Sequence, residues 1–155
     1  MEATNRCHTT REAVHYRQMQ DFRRLRVWQR AHELLLAIKE VARSLPKSVS
    51  SDSKSQLIRA ADSIVANIVE GSGAASRREF ARYLDISIKS ATEVDYRLQL
   101  ARDEGNLRYE VWQPLSEQVI EVRKMVFRLR NSVIAADKTE QQRRRESRKP
   151  RTDNR

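Results

Sequence analysis

Four apolar stripes, each stepping by alternating threes and fours, constrain this chain more than any other feature. The first runs Trp28, Ala31, Leu35, Ile38, Ala42, Leu45, and the second Leu57, Ala61, Ile64, Ile68. The third runs Phe80, Leu84, Ser87, Ala91, Val94, Leu98, Ala101, and the fourth Trp112, Leu115, Val119, Val122, Val126, Leu129, Val133. A mean step of about 3.5 residues holds a stripe on one side of an α-helix. Four such helices with short connections bury their stripes best against one another. The expectation is an all-α fold, an antiparallel up-down-up-down four-helix bundle. Only 3 Gly and 3 Pro in 155 residues argue against a turn-rich β architecture.

The punctuation between stripes sets the expected boundaries. Helix 1 spans about Phe22 to Ser44, because Leu45 precedes Pro46 and is pushed out of the helical region. Ser51 or Asp52 can cap helix 2, which runs to about Glu70 and stops at Gly71-Ser72-Gly73, where glycine can enter the left-handed region. Ser76 with Glu79 forms a capping box for helix 3, which continues to about Glu104 and stops at Gly105-Asn106. Helix 4 covers about Arg108 to Ala136, with Pro114 either kinking it or lying near its start. Residues 1–20 carry no sustained period and are expected to be a flexible arm, which makes Met19 a candidate natural start. Residues 137–155 are rich in arginine and poor in apolar residues, so a disordered basic tail is expected after a bundle over 21–136.

Two helices carry apolar residues beyond their stripes. Helix 2 has Ile58, Val65 and Val69; helix 4 has Ile120, Phe127 and Ile134, spaced by sevens. Such an excess either widens the core face or covers a contact between copies of the chain.

Reactive residues are sparse. Cys7 is the one cysteine, which excludes an internal disulfide and fits a reducing cytoplasm. Residues 1–20 hold no apolar core of a secretory signal, and no apolar run is long enough to span a bilayer. His8, His15 and His32 show no metal-ligand spacing, and no serine or cysteine has a histidine base nearby in sequence. No catalytic residue, metal ligand or cofactor is assigned. Asp62, Glu70, Asp85, Glu93 and Asp95 could serve a metal-dependent nuclease. Arg59, Arg82, Lys89 and Arg97 lie among them at helical spacing, and ion pairing explains the pattern more simply.

Basic residues are the stronger signal. The chain carries 31 Lys and Arg against 21 Asp and Glu, a net +10. That balance favours a polyanionic partner. Arg23, Arg24, Arg26 and Arg30 crowd the opening of helix 1; Arg123, Lys124, Arg128 and Arg130 lie on helix 4; Arg143, Arg144 and Arg145 follow as an auxiliary arm. Phosphate contacts need only such accessible cations. Phe22, Trp28 and Trp112 could stack on bases, but each falls at or beside a core stripe.

Two segments resemble a known family. They are Asp21–Leu34 (DFRRLRVWQRAHEL) and Gln56–Gly73 (QLIRAADSIVANIVEGSG), continued by Ser76, Glu79–Leu84 and Ser90–Glu93. Together they resemble the 23S rRNA intervening-sequence proteins, also called the S23 or four-helix-bundle family, over about Asp21 to Ala136. The resemblance implies a four-helix bundle of bacterial origin that assembles as a ring-like homo-oligomer, a pentamer; with the sparse reactive residues and the single cysteine, the expectation is a non-enzymatic, cytoplasmic protein. It assigns Asn67, Glu70 and Gly71 to a structural turn between helices 2 and 3. A related branch includes the accessory variability determinant of diversity-generating retroelements, which binds nucleic acid and a reverse transcriptase. The resemblance thus implies RNA or another nucleic acid as partner, or alternatively a protein such as a reverse transcriptase, and no membrane. The Arg-rich tail lies outside the shared pattern, and Ala74-Ala75 stand where relatives often carry basic residues.

Overall fold

The structure, a computed structural model, describes residues 21–147. The expectations for the arm over 1–20, with Cys7, His8 and His15, and for the tail from 148 onward lie outside the described residues. A 3₁₀ turn over Phe22–Arg24 leads into α1 (Arg26–Ser44), α2 (Ser51–Ser72), α3 (Arg77–Asp103) and α4 (Tyr109–Ser147). Among the described residues there is no strand. Each helix packs against its sequence neighbours, α1 closes the square against α4, and the diagonals make no close backbone approach. This is the up-down-up-down four-helix bundle that short joints impose.

The stripes meet in one interior. Ile38, Ile68, Leu84, Ala91, Val94, Leu98, Val119 and Val126 have no accessible surface at all. Val27, Leu34, Ala60 and Val65, which the stripes omit, are buried beside them. Trp28, Ala101, Trp112, Leu129 and Val133 are half-buried and pack on the edge of the core. The apolar excess on α2 is wide core: Val65 is buried and Ile58 and Val69 are half-covered within the chain. On α4, Ile120 and Ile134 are half-covered too, whereas Phe127 stays exposed.

Several helix ends differ from the sequence expectation. Helix 1 does not start at Phe22. Asp21 accepts a hydrogen bond from the Arg23 N–H at 3.1 Å and closes a 3₁₀ turn, and Leu25 is extended before α1 begins at Arg26. The cap of α2 is Ser50, whose Oγ accepts from the Ser53 N–H at 3.1 Å, one residue before Ser51. Gly71 does not terminate α2: the helix runs on to Ser72, and its cap Gly73 has φ −93°, outside the left-handed region. Gly105, with φ +73°, does take that conformation and turns the chain out of α3. The Ser76 cap is as expected, with Oγ accepting from the Glu79 N–H at 3.1 Å, while the Glu79 carboxylate accepts from Ala75. Pro114 sits in the second turn of α4, exposed, where the missing N–H deprives only the Glu110 carbonyl near the helix start.

The largest correction is at the end of α4. The helix continues eleven residues beyond Ala136, so residues 137–147 are helical and not disordered. Tertiary and local pairs hold them. Glu140 bonds both Arg77, the first residue of α3, and Arg144 one turn ahead. Asp137 reaches Arg78 at 3.9 Å and accepts from Gln141 at 2.6 Å, and Gln142 donates to Glu146 at 2.7 Å. Because Arg77 opens α3, the residues after Glu140 overhang the bundle by about 10 Å at 1.5 Å per residue.

Glu140 titrates below its ordinary value, first through its hydrogen bond to Arg77 and then through that to Arg144. A depressed carboxylate stabilises the fold above the unfolded value, and that support is lost as the pH falls through the folded one. Amide protection over 137–147, the exchange rate relative to that of an unfolded chain at the same pH, should therefore be high at neutral pH and fall once the pH drops below the ordinary value of 4.5. Glu140→Gln should show the lowered protection at neutral pH as well. Protection that is unaffected by either change would assign the helical extension to another cause.

Candidate nucleic-acid interface

The eleven cations singled out in the sequence divide into those engaged within the chain and those left free. Arg30 is engaged twice: it grips both oxygens of Glu121 on α4, Nη2 to Oε2 at 3.0 Å, and its Nη1 donates to Glu33 at 3.0 Å. These two carboxylates, Glu121 foremost, push the Arg30 guanidinium further above its ordinary value. Arg130 donates from Nε to Asp85 on α3 at 3.0 Å, and Arg123 lies 3.7 Å from Asp95. Asp95 also accepts from the buried Ser116 hydroxyl at 3.3 Å. Arg23 lies 3.5 Å from Asp21 and stacks over Phe22, and Arg144 is held by Glu140. These five act first as clamps between or along helices.

Arg24, Arg26, Lys124, Arg128, Arg143 and Arg145 are exposed and make no ion pair among the described residues. Three of them converge. Arg26, Lys124 and Arg128 line an open groove of about 620 Å³ between the start of α1 and the middle of α4, with Ile120 and Met125 between them. Two carboxylates, Glu117 and Glu121, share the lining, but Glu121 is already taken by Arg30 and Glu117 accepts from Gln113 at 3.2 Å. The groove exists because α1 starts only at Arg26 while α4 runs on past it. No side chain caps α1, and its first turn holds no acidic residue, so the partial positive charge of that helix end adds to the three cations. Such a groove can hold phosphate oxygens by charge, without reading base edges.

The aromatic candidates are occupied. Trp28 meets Phe22 edge-on with ring centroids 5.1 Å apart and stacks on His32 at 5.2 Å. Trp112 lies under the Arg102 guanidinium, 4.4 Å from it, beside Tyr109. Of the expected ion pairs only Glu93 with Arg97 forms within α3; Asp85 and Asp95 turn instead to Arg130 and Arg123 of α4, and Asp62 and Glu70 of α2 make no ion pair among the described residues. Among the described residues no three His, Cys, Asp or Glu side chains gather as a metal site would require. No helix there is long and apolar enough to cross a membrane.

The residues assigned to the turn act inside the α2–α3 seam. Asn67 donates to the Ser63 carbonyl at 2.7 Å and to the Ser63 hydroxyl at 3.1 Å, and that hydroxyl meets Ser90 of α3 at 2.8 Å. The Ser87 hydroxyl, fully buried, donates across to the Ile64 carbonyl at 3.0 Å. Gly71 lies against Phe80 and Tyr83 so closely that a Cβ there would fall 2.6 Å from the Phe80 ring. Glu70 is exposed, and only its backbone carbonyl serves the joint, accepting from the Gly73 N–H at 3.1 Å.

Fold and surface together define a small all-helical bundle with a groove lined by three cations and two carboxylates. The sequence profile of the 23S rRNA-intervening sequence protein family matches residues 23–128. The chain belongs to that family. A crystal structure of a protein of unknown function from the S23 ribosomal protein family of Bacteroides thetaiotaomicron is similar, at 25% identity and TM-score 0.64. That similarity covers 68% of this chain and 95% of the other. No curated protein matches the sequence.

Proposed function

We propose that the chain is a non-enzymatic, cytoplasmic bundle that binds RNA electrostatically through the α1–α4 groove and self-associates as a homo-oligomer, a pentamer. The observation that carries the binding reading is the contrast between Arg26, Lys124 and Arg128, which are exposed and unpaired around one groove, and Arg30, Arg123 and Arg130, each beside a carboxylate. Free cations that converge stabilise a polyanion by releasing its counterions. The family description, 23S rRNA-intervening sequence protein, makes RNA the preferred polyanion.

The overhang of α4 adds Arg143 and Arg145 as a secondary contact, displaced from the groove toward the α3 end of the bundle. A gel-shift series across ionic strength separates the two. The full chain should bind RNA with an affinity that falls steeply as salt rises. Changing Arg143, Arg144 and Arg145 to Ala together should weaken binding by less than about tenfold, with a steep salt slope retained. A complete loss of binding in that variant would move the site from the groove to the overhang.

A further inference from the structure

Two large apolar side chains of α4 are exposed, Tyr109 and Phe127. Tyr109 leans on Trp112, with centroids 5.6 Å apart. Phe127 is 53% exposed and enters no aromatic or cation–π pair among the described residues. Lys124, Phe127 and Asn131 stand at i, i+3 and i+7, so they form one row along the helix, and Arg128 lies one turn from Lys124. Lys124 and Arg128 also line the groove. Asn131 accepts from Arg130 at 3.4 Å through Oδ1, which leaves its amide N–H groups available.

We infer that Phe127 is a stacking platform for an unpaired nucleobase, with Lys124 and Arg128 holding the flanking phosphates. This rests on the nucleic-acid reading above and adds to it a preference for single-stranded segments. Cations alone suffice for a duplex backbone. One helical turn from Phe127, Arg123 and Arg130 are held by Asp95 and Asp85 and Lys124 is unpaired; a bare ring beside a free cation suits a ligand that is both anionic and flat-faced. A nucleobase covers the ring while its phosphates meet Lys124 and Arg128. A duplex keeps its bases inside and cannot cover the ring in this way.

A second copy of the chain is the rival occupant, because Ile120, Phe127 and Ile134 share a seven-residue spacing suited to a helix–helix seam. Ile120 and Ile134 are already half-covered within the chain, so that seam is not open along its length. In a ring the contact is heterologous and sets this row against a different face of the next copy, so the mass measurement below decides between the two occupants.

Anisotropy titrations of the full chain with three probes test the platform: a labelled single-stranded oligouridylate, an RNA duplex of equal length, and inorganic polyphosphate. Phe127→Ala should weaken single-strand binding by roughly tenfold, leave the other two probes and the salt slope unchanged, and be rescued by Phe127→Trp. Undiminished single-strand affinity in Phe127→Ala overturns the platform, as does an equal loss on all three probes. A changed mass by light scattering with single-strand affinity intact assigns the ring to a second copy and likewise overturns it. A wild-type chain that binds none of the probes removes the nucleic-acid reading itself and the platform with it. Binding by the wild type with an indifferent Phe127→Ala removes the platform alone.

Discussion

Gly71→Ala should destabilise the bundle by about 1–2 kcal/mol, and Gly71→Val by about 3 kcal/mol. The added Cβ would lie 2.6 Å from Cδ2 of Phe80 and 2.9 Å from Cβ of Tyr83. Phe80 is buried and its ring has little room to turn. The Tyr83 Cβ is fixed by the α3 backbone, so the two helices must part. Overpacking of this kind costs about 1–3 kcal/mol. Alanine recovers about 1 kcal/mol through its better helix propensity, which valine does not match. Gly73 is the internal control. A Cβ there meets nothing closer than the Glu70 carbonyl at 3.6 Å, and φ −93° suits any residue. Gly73→Ala should be neutral or stabilising by a few tenths of a kcal/mol. Urea unfolding of the three variants decides the matter. A Gly71→Ala chain as stable as the wild type would mean that this seam does not need the close approach.

The same glycine marks the limit of what could be read locally. In sequence, Gly71 is a helix stop; in the fold, it lies against Phe80 and Tyr83 of α3 with no room for a Cβ, and the left-handed turn falls to Gly105 instead. The stripes were legible because apolar periodicity is a property of neighbours along the chain, and all of their residues but five, which are half-buried, lie in the core. The length of α4 was not legible, because its last turns depend on Arg77, which lies 63 residues before Glu140. Composition alone makes 137–147 a polar segment without a core.

The candidate site was half legible for a similar reason. Charge density marked the two helices that border the groove, and three of the residues it singled out line it. Which cations are spent on the fold depends on partners far away in sequence: Glu121 is 91 residues from Arg30, and Asp85 is 45 from Arg130. Phe127 was visible only as one member of a seven-residue series. Its exposure beside the unpaired Lys124 needed the packed bundle to appear.

The second large effect concerns the groove. If Arg26, Lys124 and Arg128 each meet a phosphate, removing all three takes away most of the counterion release that drives binding. Each is exposed and unpaired, so their loss leaves the core and the interhelix clamps intact. Substituting Arg30 or Arg130 instead would leave Glu121 or Asp85 without its partner and loosen the α1–α4 or α3–α4 contact. Binding losses in those variants would be mixed with losses of fold. The groove triad is the cleaner probe.

The most direct measurement is the RNA dissociation constant of the wild type and of the Arg26→Ala, Lys124→Ala, Arg128→Ala triple variant, each taken across a range of salt. A loss of roughly a hundredfold at low salt is expected, together with a log–log salt slope shallower by about 2–3 units, near one per phosphate contact, in a variant whose helix content and unfolding midpoint match the wild type. An equally folded triple variant that keeps the wild-type affinity and the wild-type slope would contradict the groove as the RNA-binding surface.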